Sequence, residues 1–392
     1  PVVSSAASDV YKRQTMYRVW IGSAVLAIIL MSGLNQRSHA DDQTDIAALA
    51  AKIKAVDRFG KGHLEASSAV AKLSNLPPSS IPIILQEMRG CSPLAANWFR
   101  AAIESSSQSD PKAVPTSVLK DFLAETTNDP YARSLAFDLI VEQTPDQRSG
   151  LIETFLLDPC MELRFMAVEQ KMQEVAKLVE EDKSELATER YQILLEAARH
   201  PDQINAIAKQ LDSLGQPVDL NQHYGFLMGW SLIGPFDNRN KVGFDTVYPP
   251  EEEVNLSVEL EGKEGAKVEW QPFTSEEDLG VVNLNEAVGK NMGAVVYAVT
   301  EFTVEQETPA EIRIGSPNGN KVWVNGELVI SNHVYHAGNA IDQFAGAITL
   351  KPGANQIILK ICQNEQTDSW AQEWQFQARV TDATGKKISA SK

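Results

Sequence analysis

Cysteine is scarce in this chain, with three in 392 residues. They stand at Cys91, Cys160 and Cys362, and no two form a CxxC pair. A zinc ribbon and a thioredoxin-type redox site are thereby excluded. Positive charge is also short: 35 Lys and Arg face 52 Asp and Glu, for a net charge of −17. The phosphates of nucleic acid and the headgroups of anionic lipid would repel such a chain. The motifs GxSxG, HExxH, Walker A and a complete GxGxxG are missing as well. Gly60-Lys61-Gly62 lacks the third glycine and a preceding strand, and reads as a linker. Neutral glycans and protein partners remain as the expected ligands, and no enzyme activity is expected.

Residues 16–40, MYRVWIGSAVLAIILMSGLNQRSHA, read as a secretory signal. Arg18 supplies the positive start, and residues 19–31 are mostly apolar but too short for a comfortable membrane span. Ser38-His39-Ala40 fits a small-x-small cleavage site; an uncleaved anchor is the alternative. The preceding VSSAASDVYKRQ resembles translated sequencing-adapter read-through. Residues 1–15 are therefore expected to be a gene-model artefact and Met16 the start. Cleavage after Ala40 removes four basic residues and one acidic residue, which takes the net charge to −20. The expected location is periplasmic or extracellular, with no membrane span after cleavage. Cysteines can pair there. Cys91 and Cys160 both fall near predicted helix starts, so a bridge between them stays open.

The length favours two domains. Apolar residues recur at helical spacing before residue 218 and alternate or cluster in short runs after it. In the first part, 41–218, a phrase of capping residue, proline and helix recurs. Its four copies are SPLAANWFRAAI (92–103), DPYARSLAFDLI (129–140), DPCMELRFMAVE (158–169) and HPDQINAIAKQL (200–211). Their prolines, Pro93, Pro130, Pro159 and Pro201, are spaced by 37, 29 and 42 residues. Ser92, Asp129 and Asp158 suit the capping position, whereas His200 departs from it. Proline at the first helical position sacrifices no helix bond. Each unit carries an apolar face that only a stacked neighbour can cover. The pattern resembles HEAT-type repeats, which implies an α-solenoid; a non-repetitive bundle is the alternative. Arg100, Arg133 and Arg164 sit near one phase of the units. They are expected to pack on the next unit with their charges wet or paired, against the alternative of an anion-binding ladder.

Residues 219–385 read as many short strands without helical pattern, hence an antiparallel β-sandwich, with 386–392 as a tail. Within it, NKVWVNGELV (320–329) places Asn325-Gly326 between two apolar runs. That pair predicts a type I′ hairpin, because both central residues need positive φ. The predicted register sets Val324 opposite Glu327, Trp323 opposite Leu328 and Val322 opposite Val329. Trp323 is expected to seal the sandwich against Leu328; an exposed aromatic platform is the alternative.

GWSLIGPFDN (229–238), YPPE (248–251), VEWQPF (268–273), KVWVNG (321–326) and LKPGANQIILKI (350–361), followed by Trp370 or Trp374, form an ordered set. The set resembles the galactose-binding-like jelly-roll domains of secreted planctomycete-type bacterial proteins, over roughly residues 224–382. The resemblance implies a jelly roll. It also implies that the NG hairpin and the turn at Leu350, Gly353 and Asn355 are scaffold.

The connection 331–342 concentrates Asn332, His333, Tyr335, His336, Asn339 and Asp342. Of these, Asn332, His333, Tyr335, His336 and Asp342, together with Trp323, are the candidate ligand-binding residues, in a loop that reads as a polar rim for glycan hydroxyls. His333, His336 and Asp342 are the most metal-like group but read as loop residues, and neither a metal nor a cofactor is expected. A structural calcium near Asp237 and Asn238 stays open. Glu251, Glu252 and Glu253 read as a solvated loop. The expectation is thus an exported non-catalytic protein. Its sandwich would bind a neutral carbohydrate or another envelope component, and its helical part would contact proteins. The alternatives are a structural protein–protein scaffold and a divergent glycan-active enzyme.

Overall fold

The computed structural model describes residues 39–57 and 59–391. The expected artefact at 1–15, and the expected signal up to its last two residues, lie outside them. By its internal contacts the chain forms two units, residues 1–46 and 47–392. Of the first, the described part is the opening of the His39–Lys54 helix. The second carries helices as far as Leu220–Tyr224 and strands from Gly229 to Thr381.

Three of the four expected helix starts fall on their prolines, in Pro93–Ser109, Pro130–Gln143 and Pro201–Ser213. Ser92 Oγ accepts from the Ala95 amide at 3.2 Å and Asp129 Oδ1 from the Tyr131 amide at 3.0 Å. His200 caps as well, through Nδ1 and the Asp202 amide at 3.3 Å. The exception is the third unit, whose helix Met161–Glu180 begins two residues past Pro159. Asp158 has another task. Its carboxylate takes both terminal nitrogens of Arg133, at 2.6 and 2.7 Å, and the Cys160 amide at 2.8 Å.

The three arginines tie successive helices together. Arg133 is 1% exposed and also donates twice to the Leu123 carbonyl, at 2.9 and 2.8 Å. Arg100 pairs with Asp138 on the Pro130–Gln143 helix at 2.9 Å. Arg164 donates to the carbonyls of Asp158, Leu157 and Ala197. Arg133 and Arg164 are buried and spent on these partners and Arg100 is paired with carboxylates, which argues against an anion-binding ladder. Cys91 and Cys160 are both buried free thiols, so the bridge left open by the sequence is not formed.

Twelve strands follow among the described residues: β1 (Gly229–Asp237), β2 (Glu259–Glu261), β3 (Lys267–Glu269), β4 (Gln271–Thr274), β5 (Val282–Asn283), β6 (Ala294–Val304), β7 (Thr308–Gly315), β8 (Gly319–Val324), β9 (Glu327–Asn332), β10 (Phe344–Leu350), β11 (Gly353–Gln363) and β12 (Gln375–Thr381). A six-stranded sheet has the order β4-β1-β6-β11-β8-β9 and a four-stranded sheet the order β10-β7-β12-β5; every pairing is antiparallel. Strand alternation sorts the side chains. Val296, Ala298 and Phe302 of β6 and Ile357, Leu359 and Ile361 of β11 meet Ile312, Ile314, Phe376 and Ala378 of the other sheet in one apolar cluster. The opposite face of the six-stranded sheet carries Val295, Tyr297, Ile358, Lys360 and Cys362. Phe244, Tyr248, Val268 and Trp270 pack over the apolar part of that face.

Asn325 (φ 51°) and Gly326 (φ 82°) both adopt positive φ, as the hairpin requires. Val324 pairs with Glu327 and Trp323 with Leu328, but a register shift then sets Val322 opposite Ile330 rather than Val329. The shift lets Ile330 join Val322 and Val324 in the inter-sheet core. Trp323 consequently faces the outer side, half-buried against the cluster around Phe244, and does not seal the space between the sheets. The hairpin is pinned to the β10–β11 turn through two asparagines. Asn325 Nδ2 donates to Asn355 Oδ1 at 2.8 Å, and Asn325 Oδ1 accepts from the Gln356 amide at 3.0 Å. Buried Asn355 also donates to the carbonyls of Lys351 and Phe302, which gives the expected scaffold role a concrete form.

The change from helix to strand falls beyond residue 218, because Leu220–Tyr224 is still helical. Tyr224 and Phe226 complete the core of the last helices, with Leu279 and Ile341 from the strand region packed on it. Arg379 of β12 donates to the Tyr224 carbonyl at 3.1 Å. The helical and strand regions within 47–392 thus share packing.

Candidate functional site

The connection 332–343 leaves β9 at Asn332, opposite Asn320, and folds over one end of the six-stranded sheet. The segment Arg239–Phe244, which follows β1, and the residues after β11 meet it there. His333 stacks flat on Phe244, with ring centroids 4.1 Å apart and planes within 3°. Tyr335 lies 5.6 Å from His333, and its hydroxyl accepts from Asn238 Nδ2 at 3.1 Å. His336 meets Trp370 edge-on at 5.0 Å. Trp370 is 62% exposed, and Val334 and Val242 are also exposed. Lys321 sits over the Phe244 ring at 4.6 Å and Lys241 over Tyr335 at 5.1 Å. The result is an aromatic and imidazole rim bordered by cations.

The loop backbone contributes to this arrangement. His336 adopts φ 60°, a conformation unusual for a residue other than glycine. Its Nε2 lies 2.9 Å from Asn364 Nδ2. Asn364 Oδ1 accepts from the Gln366 amide, so the amide nitrogen is the atom that faces His336. Nε2 must then be the acceptor, and the proton resides on Nδ1. His336 therefore keeps a donor beside an exposed indole.

Beneath the rim lies a charge network that the sequence hid. Lys360, fully buried on β11, donates to the carbonyls of Phe244 at 3.2 Å and Thr246 at 2.7 Å, and to Glu251 Oε1 at 2.7 Å. Tyr297 donates to the same carboxylate oxygen. Glu251 belongs to the short helical turn Pro249–Glu252, and its side chain is only 10% exposed. The expectation of a solvated loop is wrong for this glutamate, because a buried cation needs a carboxylate partner. Burial pulls the Lys360 ammonium below its usual value, against Glu251. Burial, reinforced by Glu251, pushes the Tyr297 phenol up. By holding the Phe244 backbone, Lys360 fixes the ring on which His333 stacks.

The candidate residues thus separate into groups. His333, Tyr335 and His336 come together at the rim. Asn332 stands at its base, donating to Asn320 Oδ1 at 3.1 Å. Tyr335 acts as a support, since Asn238 holds its hydroxyl and a Cβ on Gly319 would touch its ring at 3.3 Å. Asp342 is not a rim residue. Arg313 binds it at 2.9 Å and Arg379 through both carboxylate oxygens, so it closes the base of the loop. Burial alone would raise the Asp342 carboxyl, but Arg379 and Arg313 outweigh it and hold the group below its ordinary range. Trp323 lies toward the NG end of β8, whereas Tyr335 covers the Gly319 end.

No group of three or more His, Cys, Asp or Glu suited to a metal occurs among the described residues. Near the position considered for calcium, Arg239 engages Asp237 at 2.6 Å, and Asn238 Nδ2 donates to the Tyr335 hydroxyl and the Gln363 carbonyl, while the buried Asn238 Oδ1 has no hydrogen-bond partner. Trp370 was visible in the sequence only as the aromatic ending the ordered motif set.

No family model matches the chain, and no curated protein matches it. Among solved structures, the β-glucosidase from Kluyveromyces marxianus in complex with glucose is similar at 16% identity and a TM-score of 0.19. The match covers 24% of this chain and 11% of that one, so the chain spans about a tenth of the enzyme's length. An anti-sigma factor domain-containing protein from Clostridium clariflavum matches at 12% identity and a TM-score of 0.24, over 42% and 45% of the two chains. The Pseudomonas fluorescens alkylpurine DNA glycosylase AlkC, bound to DNA containing an abasic site analog, matches at 10% identity and a TM-score of 0.21 over 89% and 96%. Likeness at these scores carries neither a fold nor a function to this chain.

Proposed function

We propose that this is an exported, non-catalytic binding protein. In this reading its strand region is a galactose-binding-like jelly-roll sandwich that holds a neutral glycan, or a similar envelope component, at the 332–342 rim. The helical region is a HEAT-like array that contacts protein partners. The observation that carries the reading is Trp370, 62% exposed and flanked by His336. Sugars bind proteins by stacking a ring face on an aromatic and by exchanging hydrogen bonds with the hydroxyls. Trp370 offers the stacking surface, His336 Nδ1 and the exposed His333 and Asn339 offer the polar partners. The charge of −17 disfavours acidic glycans but does not penalise neutral ones.

In this reading Trp370 is the stacking surface, while Tyr335 supports the rim, Asp342 closes the base of the loop and Trp323 lies toward the other end of β8. A glycan array tests the reading. It predicts hits among neutral glycans that Trp370→Ala weakens about tenfold or more, equivalent to about 1.4 kcal/mol. An array without hits, together with recovery of a defined protein partner through the helical surface, would replace the glycan reading with the scaffold.

A further inference from the structure

A second, separate feature lies where the last helices meet the sheets. The end of the Ser184–Ala197 helix and the residues after it, the Leu220–Tyr224 turn, β12 and residues 385–387 line a partly open cavity of about 40 Å³. Tyr224 lines it and is 2% exposed, yet its hydroxyl has no hydrogen-bond partner. Arg199 lines it too, and its Nε is buried without a partner, although Nη1 donates to the carbonyls of Glu196 and Ala198. Buried polar groups in native proteins are rarely left unmatched, and two lining residues with such donors point to an acceptor held in this cavity.

The charge of the lining gives the sign of that acceptor. Arg379, Lys386 and Lys387 join Arg199 there, and Glu196 is the one carboxylate in the lining. Asp342 already matches Arg379, and Asp382 lies close enough to influence Arg199, yet cations still dominate the wall of a strongly acidic chain. The environment registers on His223. Burial first, then the charges of Lys387, Arg199 and Arg379, hold its imidazole below the usual value against the opposing pull of Glu196. About 10–15 Å³ of such space accommodates one water. A volume of about 40 Å³ therefore suits a group of three or four oxygens and is too small for a sugar ring.

We propose that this cavity binds a small divalent oxyanion of the phosphate or sulfate class, with Tyr224 Oη and Arg199 Nε as donors. The ligand bridges helical and strand segments, so its binding stabilises their junction against unfolding. The neutral-glycan site is independent of it.

The test uses the full chain in calorimetric titrations and thermal melts with sodium phosphate, sodium sulfate and sodium acetate, against chloride at equal ionic strength. Phosphate or sulfate should bind saturably and raise the melting temperature, whereas chloride and acetate should not. Tyr224→Phe removes only an oxygen that no protein group uses. It should melt like the wild type without the anion and bind the anion about tenfold more weakly. Arg199→Gln should abolish binding. Saturable binding unchanged in Tyr224→Phe, or no difference from chloride because the cavity takes water alone, would overturn the proposal. Equal binding of acetate would overturn the assignment to a tetrahedral anion.

Discussion

Replacing Arg133 by methionine would separate a structural arginine from a surface one. The Arg133 and Asp158 side chains are 2% and 5% exposed, and the two groups make a paired, two-bond contact. Arg133→Met keeps much of the apolar stem but leaves Asp158 with a buried charge and one remaining bond, to the Cys160 amide. It also removes both side-chain donors from the Leu123 carbonyl. Breaking a buried ion pair from one side costs about 3–5 kcal/mol, most of it the desolvation of the stranded partner. Arg100→Met supplies the control. Its pair with Asp138 is 38% and 50% exposed, and such pairs contribute about 0–1 kcal/mol. Urea unfolding followed by far-ultraviolet circular dichroism measures both. The reasoning fails if the two variants lose the same stability to within about 0.5 kcal/mol.

Three further outcomes follow from the same geometry. An added Cβ on Gly326 would meet no atom within 4 Å, so Gly326→Ala should lose about 1–2 kcal/mol from its positive φ alone, and Gly326→Val more; an unchanged thermal melt would contradict the turn. The folded Asp342 carboxyl lies below its unfolded value, near 3.9, so its contribution is complete above that pH and is lost as the pH falls through the lower folded value. Asp342→Asn should therefore be less stable than the wild type at pH 7 and converge with it in acid; a constant difference across the titration would refute the ion pair. Burial pushes Cys91 up to about 11 and Cys160 and Cys362 up to about 12, so Ellman's reagent at pH 8 should react slowly with the native chain and with three thiols after denaturation. Recovery of a single thiol from the unreduced, denatured chain would reveal a disulfide instead.

Local rules carried the sequence reading far, and it failed where partners are distant. A cap followed by proline is a contiguous signal, and three of the four helices begin on it. The NG turn is equally local, and both of its residues adopt positive φ. Asp158 looked like another cap because its partner, Arg133, stands 25 residues away. Glu251 looked solvated because Lys360 lies 109 residues further on. Asp342 looked like a recognition residue because its loop is polar, while Arg313 and Arg379 come from β7 and β12. The register shift after Trp323 arises from packing, since it brings Ile330 into the core, and the alternation of residues alone could not announce it. Exposure is the property that distinguishes Trp370 from the buried Trp374, and only the folded chain reveals it.

The central claim is that the rim around Trp370 and His336 holds a neutral sugar. Heteronuclear NMR of the chain, titrated with neutral oligosaccharides, tests it most directly. The account predicts saturable shifts in the Trp370 indole N–H, the His336 ring and the backbone of 332–341, with the Trp323 indole unmoved. Saturable shifts centred on Trp323, or no shift at any rim signal with every neutral oligosaccharide, would contradict it.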